Sequence, residues 1–253
     1  MNTGLTTLFT GRHVTFLETV DSTNSYLSQR LSQELLPEGA VVIARNQTEG
    51  RGQANERWFS EARQNLLMSI VFYPSFIGYQ SMFMLSKTFS LGAYDGIRSI
   101  AENVSIKWPN DIYIGDKKVA GILIENSIRN PQVNHSVLGL GINVNQERFP
   151  AGLPNPVSLF NVLDKKLDIE EFFCIICNAL EKRYLQLKAG HQDVINEDYK
   201  EALYRFGQLH EFENSTERFF AKITAVADDG KLFLKRENGQ IERYDFKEVR
   251  FVI

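Results

Sequence analysis

The stretch from Lys107-Trp108-Pro109-Asn110-Asp111 to Val119-Ala120-Gly121-Ile122 and Glu125 leaves this chain few ways to fold. Val104, Ile106 and Trp108 alternate with Ser105 and Lys107, so an extended strand buries the first set and turns the lysine to the other face. Pro109 ends that strand, because it offers no N–H to a ladder and confines Trp108 to extended conformations. Ile112 to Ile114 and Val119 to Ile124 then read as a hairpin around Gly115, Asp116 and Lys117. Gly121 interrupts its second strand, and a mid-strand glycine costs stability unless something approaches the backbone closely. Lys107 and Gly121 therefore read as two parts of one ligand floor. The alternative for the lysine alone is a solvated strand end.

The bulk numbers bound the class. With 253 residues, 43% hydrophobic and 23% charged, the chain can bury a large core, as one large domain or one plus a small module. A net charge of −3 argues against a general nucleic-acid or membrane surface, which wants a basic excess. No apolar run approaches the roughly 18 residues of a membrane span, and the first residues lack the basic start and apolar core of a signal segment. A cytoplasmic protein is expected. Cys174 and Cys177 have C-x-x-C spacing but lie inside a strongly helical stretch with no second pair or nearby histidine, so they read as structural. His13, His135, His191 and His210 are scattered, and no metal site is expected.

Along the chain, His13 to Glu18 alternates weakly and predicts a first strand. Asp21-Ser22-Thr23-Asn24 supplies several candidate N-caps for a helix carrying Tyr26, Leu27, Leu31 and Leu35 up to Pro37. A helix needs one cap, so three hydroxyl or amide side chains in succession leave capping alone and capping plus a ligand both open. Ala40 to Ala44 is a short buried-type strand. After it comes a long polar loop, Gln47-Thr48-Glu49-Gly50-Arg51-Gly52-Gln53-Ala54-Asn55-Glu56-Arg57-Trp58, and loops of that length are often functional. Gly50 and Gly52 let the backbone approach an anion that Arg51 can grip through two parallel hydrogen bonds. Asn65 to Tyr73 predicts a central strand, and Ser81 to Ile100 a long helix packed on the sheet. Gly139 and Gly141 fall on one face of a further strand and leave a trough, which suits a neighbouring backbone or a flat ligand. Phe149 to Pro156 reads as a proline-rich surface crossing without chemistry, and Asp168 as the start of a core helix ending before Gly190. From about Phe206 the pattern becomes short alternating segments, Phe219 to Val226, Leu232 to Lys235 and Ile241 to Phe246, with hairpin signals at Asp229-Gly230 and Asn238-Gly239. That region carries slightly more acidic than basic residues, which disfavours a nucleic-acid role for it.

Lys107-Trp108-Pro109-Asn110-Asp111 followed by Lys118-Val119-Ala120-Gly121-Ile122-Leu123-Ile124-Glu125 resembles the central signature of the biotin protein ligases, and Asp21 to Asn24, Gln47 to Trp58 and Gly139-Leu140-Gly141-Ile142-Asn143 resemble further segments of that family in the same order. The resemblance implies a mixed-sheet α/β (α+β) catalytic domain with helices mainly on one face, of the class II aminoacyl-tRNA synthetase/biotin ligase type, over residues 1–205. It implies a small SH3-like β-barrel over 206–253. It further implies activation of biotin by ATP with Mg²⁺, through biotinyl-5′-AMP, and transfer to a lysine of a biotin carboxyl carrier protein domain, with a homodimer possible. Lys107 and Arg51 become the catalytic residues. Biotin is expected on Ser22, Thr23, Asn24, Gln47, Gly50, Arg51, Gly52, Gln53, Lys107, Gly121, Gly139 and Gly141. The adenylate is expected on Arg51, Gln53, Arg57, Trp58, Lys107, Asn110 and Asn143.

Where many members of that family have a second arginine and a third glycine in the loop, this chain has Gln53 and Asn55; Arg57 or Arg63 is then the candidate for the missing charge. The catalytic segment starts within the first twenty residues, which leaves no room for the DNA-binding domain some of these ligases carry. Two competing readings are a lipoate ligase or octanoyl transferase, and a non-enzymatic binder of a small anion.

Overall fold

The computed structural model describes residues 4–53, 56–129 and 131–253. Apolar runs bounded by proline and glycine give a seven-stranded sheet from β1 (Val14–Leu17), β2 (Val41–Ala44), β3 (Leu66–Phe72), β4 (Val104–Lys107), β5 (Asp111–Ile114), β6 (Lys117–Arg129) and β7 (Gln132–Ile142). The strand order is β1-β2-β3-β7-β6-β5-β4; β1 and β2 run parallel and the other neighbours antiparallel. Every residue of β3 is buried, as its unbroken apolar run requires of a strand covered on both faces.

The two faces are covered differently. On one lie α2 (Phe83–Arg98), α4 (Ile169–Lys188) and α5 (Gln192–Ala202), whose apolar stripes join the sheet in the main core with Phe72, Phe89, Phe172 and Tyr184. On the other lies α1 (Thr23–Gln33), over a small cluster of Leu27, Val42, Val71 and Val137. That second face is otherwise free for a cavity. A single-turn helix, α3 (Leu159–Leu163), closes with Ser158 and Asn161 in a reciprocal capping box, and Asp168 accepts from the Glu170 and Glu171 amides at the start of α4.

A second, antiparallel sheet has five strands in the order β11-β10-β9-β8-β12: β8 (Leu209–Asn214), β9 (Arg218–Val226), β10 (Leu232–Arg236), β11 (Ile241–Tyr244) and β12 (Val249–Phe251). Trp108 joins the two sheets: its Nε1 donates to the Gly230 carbonyl at 2.8 Å and its ring lies 5.4 Å from Phe246. Lys87, only 3% exposed, donates from α2 to Asn196 of α5 and to the Val226 carbonyl at the end of β9.

The mixed sheet, the helices mainly on one face and the terminal β unit agree with the expectation. Sequence patterning did not supply α3, α5, β8 or β12. In α5 only Ile195, Tyr199 and Ala202 are buried among charged neighbours; β8 buries Phe212 alone, and β12 is three residues long.

Gly92 is where α2 meets α4. A Cβ there would stand 2.8 Å from the Leu180 Cα, a backbone atom with nowhere to go. Gly92→Ala is expected to lower stability by about 1–2 kcal/mol, the overpacking cost less the helix-propensity gain, as read by urea denaturation.

Candidate active site

The cavity, about 590 Å³, opens on the α1 face of the seven-stranded sheet. Its polar end is built at the start of α1. Ser22 holds the N-cap position but its side chain caps nothing. Thr23 donates to Gln47 Oε1 from both its amide (2.8 Å) and its hydroxyl (3.0 Å). Ser69 Oγ lies within hydrogen-bond distance of both Asn24 Oδ1 (2.5 Å) and Thr23 Oγ1 (2.8 Å), and Asn24 Nδ2 donates to Glu125 Oε2 at 2.8 Å. These hydroxyls and amides are thus held by one another, facing the cavity. Capping alone does not account for them. Ser69 and Glu125 were not anticipated as parts of the site; the signal for Ser69 was a lone hydroxyl inside an all-apolar strand.

The floor is a trough of glycines. Gly121 of β6 is the register partner of Gly141 of β7, and Gly139 lies one pleat further along. The Asn24 side chain fills the space a Cβ on Gly139 would need. The Trp58 indole lies across the other two: a Cβ would stand 2.6 Å from its Cε2 on Gly141 and 2.9 Å from its Cζ3 on Gly121. Trp58 is held from below, where its amide donates to the Gly50 carbonyl at 2.8 Å, and Gly52 donates to Glu56 within the same loop at 2.6 Å. Gly50 therefore supports Trp58 and does not line the cavity. Ala54 and Asn55 lie outside the described residues, so the Asn55 departure has no structural account.

Several cations line the cavity. Lys118 pairs with Asp111 at 2.6 Å and stands over the Trp58 ring. Lys107 has no carboxylate within ion-pairing distance among the described residues; its Nζ stands 4.7 Å from the Phe251 ring centroid and 5.4 Å from that of Tyr113. Burial holds its pKa below the usual lysine range, and only in part does Asp111 oppose this. Arg51 Nη2 pairs with Glu125 at 2.8 Å, on the oxygen that Asn24 also uses. Arg57 lines the cavity, whereas Arg63 pairs with Glu18 elsewhere, so of the two candidates for the missing loop charge only Arg57 is in place. Asn110 donates to the Ile122 carbonyl at 2.6 Å. Asn143 donates to the Val157 carbonyl at 3.1 Å and keeps a buried Oδ1 without a partner.

Two walls were missed by sequence reasoning. Phe149, Leu153 and Pro154 to Pro156, read above as a crossing without chemistry, line the cavity, and so do Lys247, Arg250 and Phe251 of the terminal unit. Proximity to residues far away in sequence leaves no local pattern. Among the described residues no group of three or more His, Cys, Asp or Glu side chains could hold a metal ion. Cys174 and Cys177 are buried in α4, and burial pushes both thiols up.

Residues 16–143 match the Biotin/lipoate A/B protein ligase family, and the chain belongs to it. The bifunctional ligase/repressor BirA of Bacillus spizizenii is 30% identical over 240 residues, 93% of this chain and 73% of that protein. A biotin--[acetyl-CoA-carboxylase] ligase of Paracoccus denitrificans is 29% identical over 208 residues, 79% of this chain and 86% of its own. Among solved structures, the biotin protein ligase of Aquifex aeolicus in complex with biotin and ATP superposes with a TM-score of 0.78 at 24% identity, covering 95% of this chain and all of that one, which shows the shared fold.

Because the Trp58 ring rests on Gly141, Gly141→Ala must lift it. The expected outcome is greater acrylamide quenching of Trp58 fluorescence, read in a Trp108→Phe background in which Trp58 is the sole tryptophan.

Proposed function

We propose that this chain, with residues 1–205 as the catalytic unit and 206–253 as the terminal module, is an ATP-dependent biotin protein ligase acting on a lysine of a biotin carboxyl carrier protein domain in the cytoplasm. One observation carries the reading. A single trough has neutral hydrogen-bonding side chains at the Gly139 end and, at the Gly121 end, Lys118 together with Lys107, which has no ion pair among the described residues. A ureido ring, with two N–H donors and one carbonyl, suits Ser22, Thr23, Asn24 and Gln47, which offer both acceptors and donors. A dithiolane or a plain alkyl chain offers these side chains almost no donors or acceptors to use, so lipoate and octanoate are disfavoured.

The chemistry then follows from charge. The biotin carboxylate attacks the α-phosphate of ATP, forming the mixed anhydride and releasing pyrophosphate. Two anions must meet, and the Lys107 ammonium between them offsets their repulsion. Arg51, once it exchanges Glu125 for the phosphate, and Arg57 add to that field. The cavity beside the Asn24 amide and the Trp58 indole that cover the glycine trough, with Gly52 and Gln53 of the loop, holds the bicycle, while Trp58, Asn110 and Asn143 shape the nucleotide end; the orphaned Asn143 Oδ1 is an acceptor in want of a donor. Mg²⁺ arrives with the nucleotide as part of that substrate, on phosphate oxygens and water. In the second step the carrier lysine attacks the anhydride carbonyl, the amide forms and AMP leaves. The protein contributes position and charge and forms no covalent intermediate of its own.

ATP–pyrophosphate exchange tests this directly. Exchange is expected with biotin and not with lipoate or octanoate; exchange with lipoate in place of biotin would overturn the assignment of Ser22, Thr23 and Gln47. Lys107→Ala is expected to lose about 2–4 kcal/mol of transition-state stabilisation, roughly a 30- to 1,000-fold fall in kcat/KM, and near-full exchange would remove Lys107 from the mechanism.

A further inference from the structure

Lysines in ion-rich cavities are ordinarily held by a carboxylate. Here Asp111, its register partner on β5, is paired with Lys118, and Lys107 stands against aromatic faces instead. The closer of the two faces is Phe251 of β12, on the second sheet. That ring is fixed in turn: it lies 5.0 Å from Phe212, its register partner on β8, and 5.9 Å from Tyr204. A carboxylate in that place would orient the ammonium but cancel the charge needed between two anions. A ring face attracts the cation through its quadrupole, brings no charge of its own and accepts no conventional hydrogen bond.

We infer that Phe251 is a positioning residue for the adenylation step: its ring face holds the Lys107 ammonium in place and leaves its charge and its N–H donors to the substrate anions. The inference rests on the reading above, and it makes the terminal module a working wall of the active site.

The groups facing Lys107 set the direction of the pH response. Asp111 favours its charged form, Lys118 and Arg205 oppose it, and Arg250 lines the same cavity from the terminal unit. Burial outweighs these and lowers the lysine's pKa. Lys107 acts as the cation, so its contribution is present below its pKa and is lost as pH rises through it, earlier than for an ordinary lysine. Weakening the ring face removes support for the charged form and moves that loss to still lower pH.

The test places 3,4,5-trifluorophenylalanine at position 251 of the full chain, which keeps the ring's shape while draining electron density from its face. Lys107 is titrated by competitive acetylation with acetic anhydride across pH, read by peptide mass spectrometry, alongside biotin-dependent pyrophosphate exchange. The fluorinated chain is expected to titrate Lys107 roughly 0.5–1 pH unit lower, as a cation–π contact of ordinary strength implies. Its exchange rate near the alkaline limb should fall about 3- to 10-fold at an unchanged melting temperature, and Phe251→Leu should move both in the same direction. Coincident acetylation curves for the fluorinated and unmodified chains would overturn the inference. Absence of biotin-dependent exchange in the unmodified chain would instead overturn the functional reading, while the acetylation curves would still decide the contact.

Discussion

Three missing side chains set the depth of this site. Gly121, Gly139 and Gly141 lie on one face of β6 and β7, and everything above them depends on that absence: Asn24 drops into the space over Gly139 and Trp58 into the space over Gly121 and Gly141. The opposite pleat of the same strands carries Ala120, Ile122, Leu138 and Leu140 in the main core, so the sheet is not weakened as a whole. The cost of mid-strand glycines falls on one face and is compensated on the other by burial. A floor built this way lets the planar Trp58 indole lie directly on the strands.

The junction at Lys107 has a second role. Lys107 closes β4 and Trp108 opens the turn after it, and both meet the terminal unit: Trp108 through Gly230 and Phe246, Lys107 through Phe251. The terminal unit thus contacts the end of the reactive strand through two consecutive residues.

Much of this was legible in the sequence, and the pattern of what was not is physical. The glycine trough, the lysine at a strand end and the hydroxyl-rich start of α1 each break a strong local rule, an apolar period or a single cap, and such breaks are visible without a structure. The Phe149 to Pro156 wall and Phe251 break no rule. A proline-rich crossing and a short apolar strand look ordinary until the fold brings them to the cavity. Ser69 stands between the two cases: a single hydroxyl in a fully buried strand had to find a partner, but only the structure shows that it finds Thr23 and Asn24.

The loop carries one fewer arginine than many of its counterparts in the family, with Gln53 in that place, and the Arg51 pairing sets how much this matters. Arg51 and Glu125 are both more than a third exposed, and such a pair contributes only about 0–1 kcal/mol in water. On the proposed function, a phosphate between Arg51 and Lys107 in the partly enclosed cavity is a stronger partner than Glu125, through two charge-assisted contacts in place of one. The exchange of partners therefore runs toward the substrate even without the second loop arginine. Glu125 also accepts from Asn24 and so keeps that amide over Gly139. The same acid thus joins the loop, through Arg51, to the side chain that covers Gly139, which ties the loop to the shape of the site beneath it.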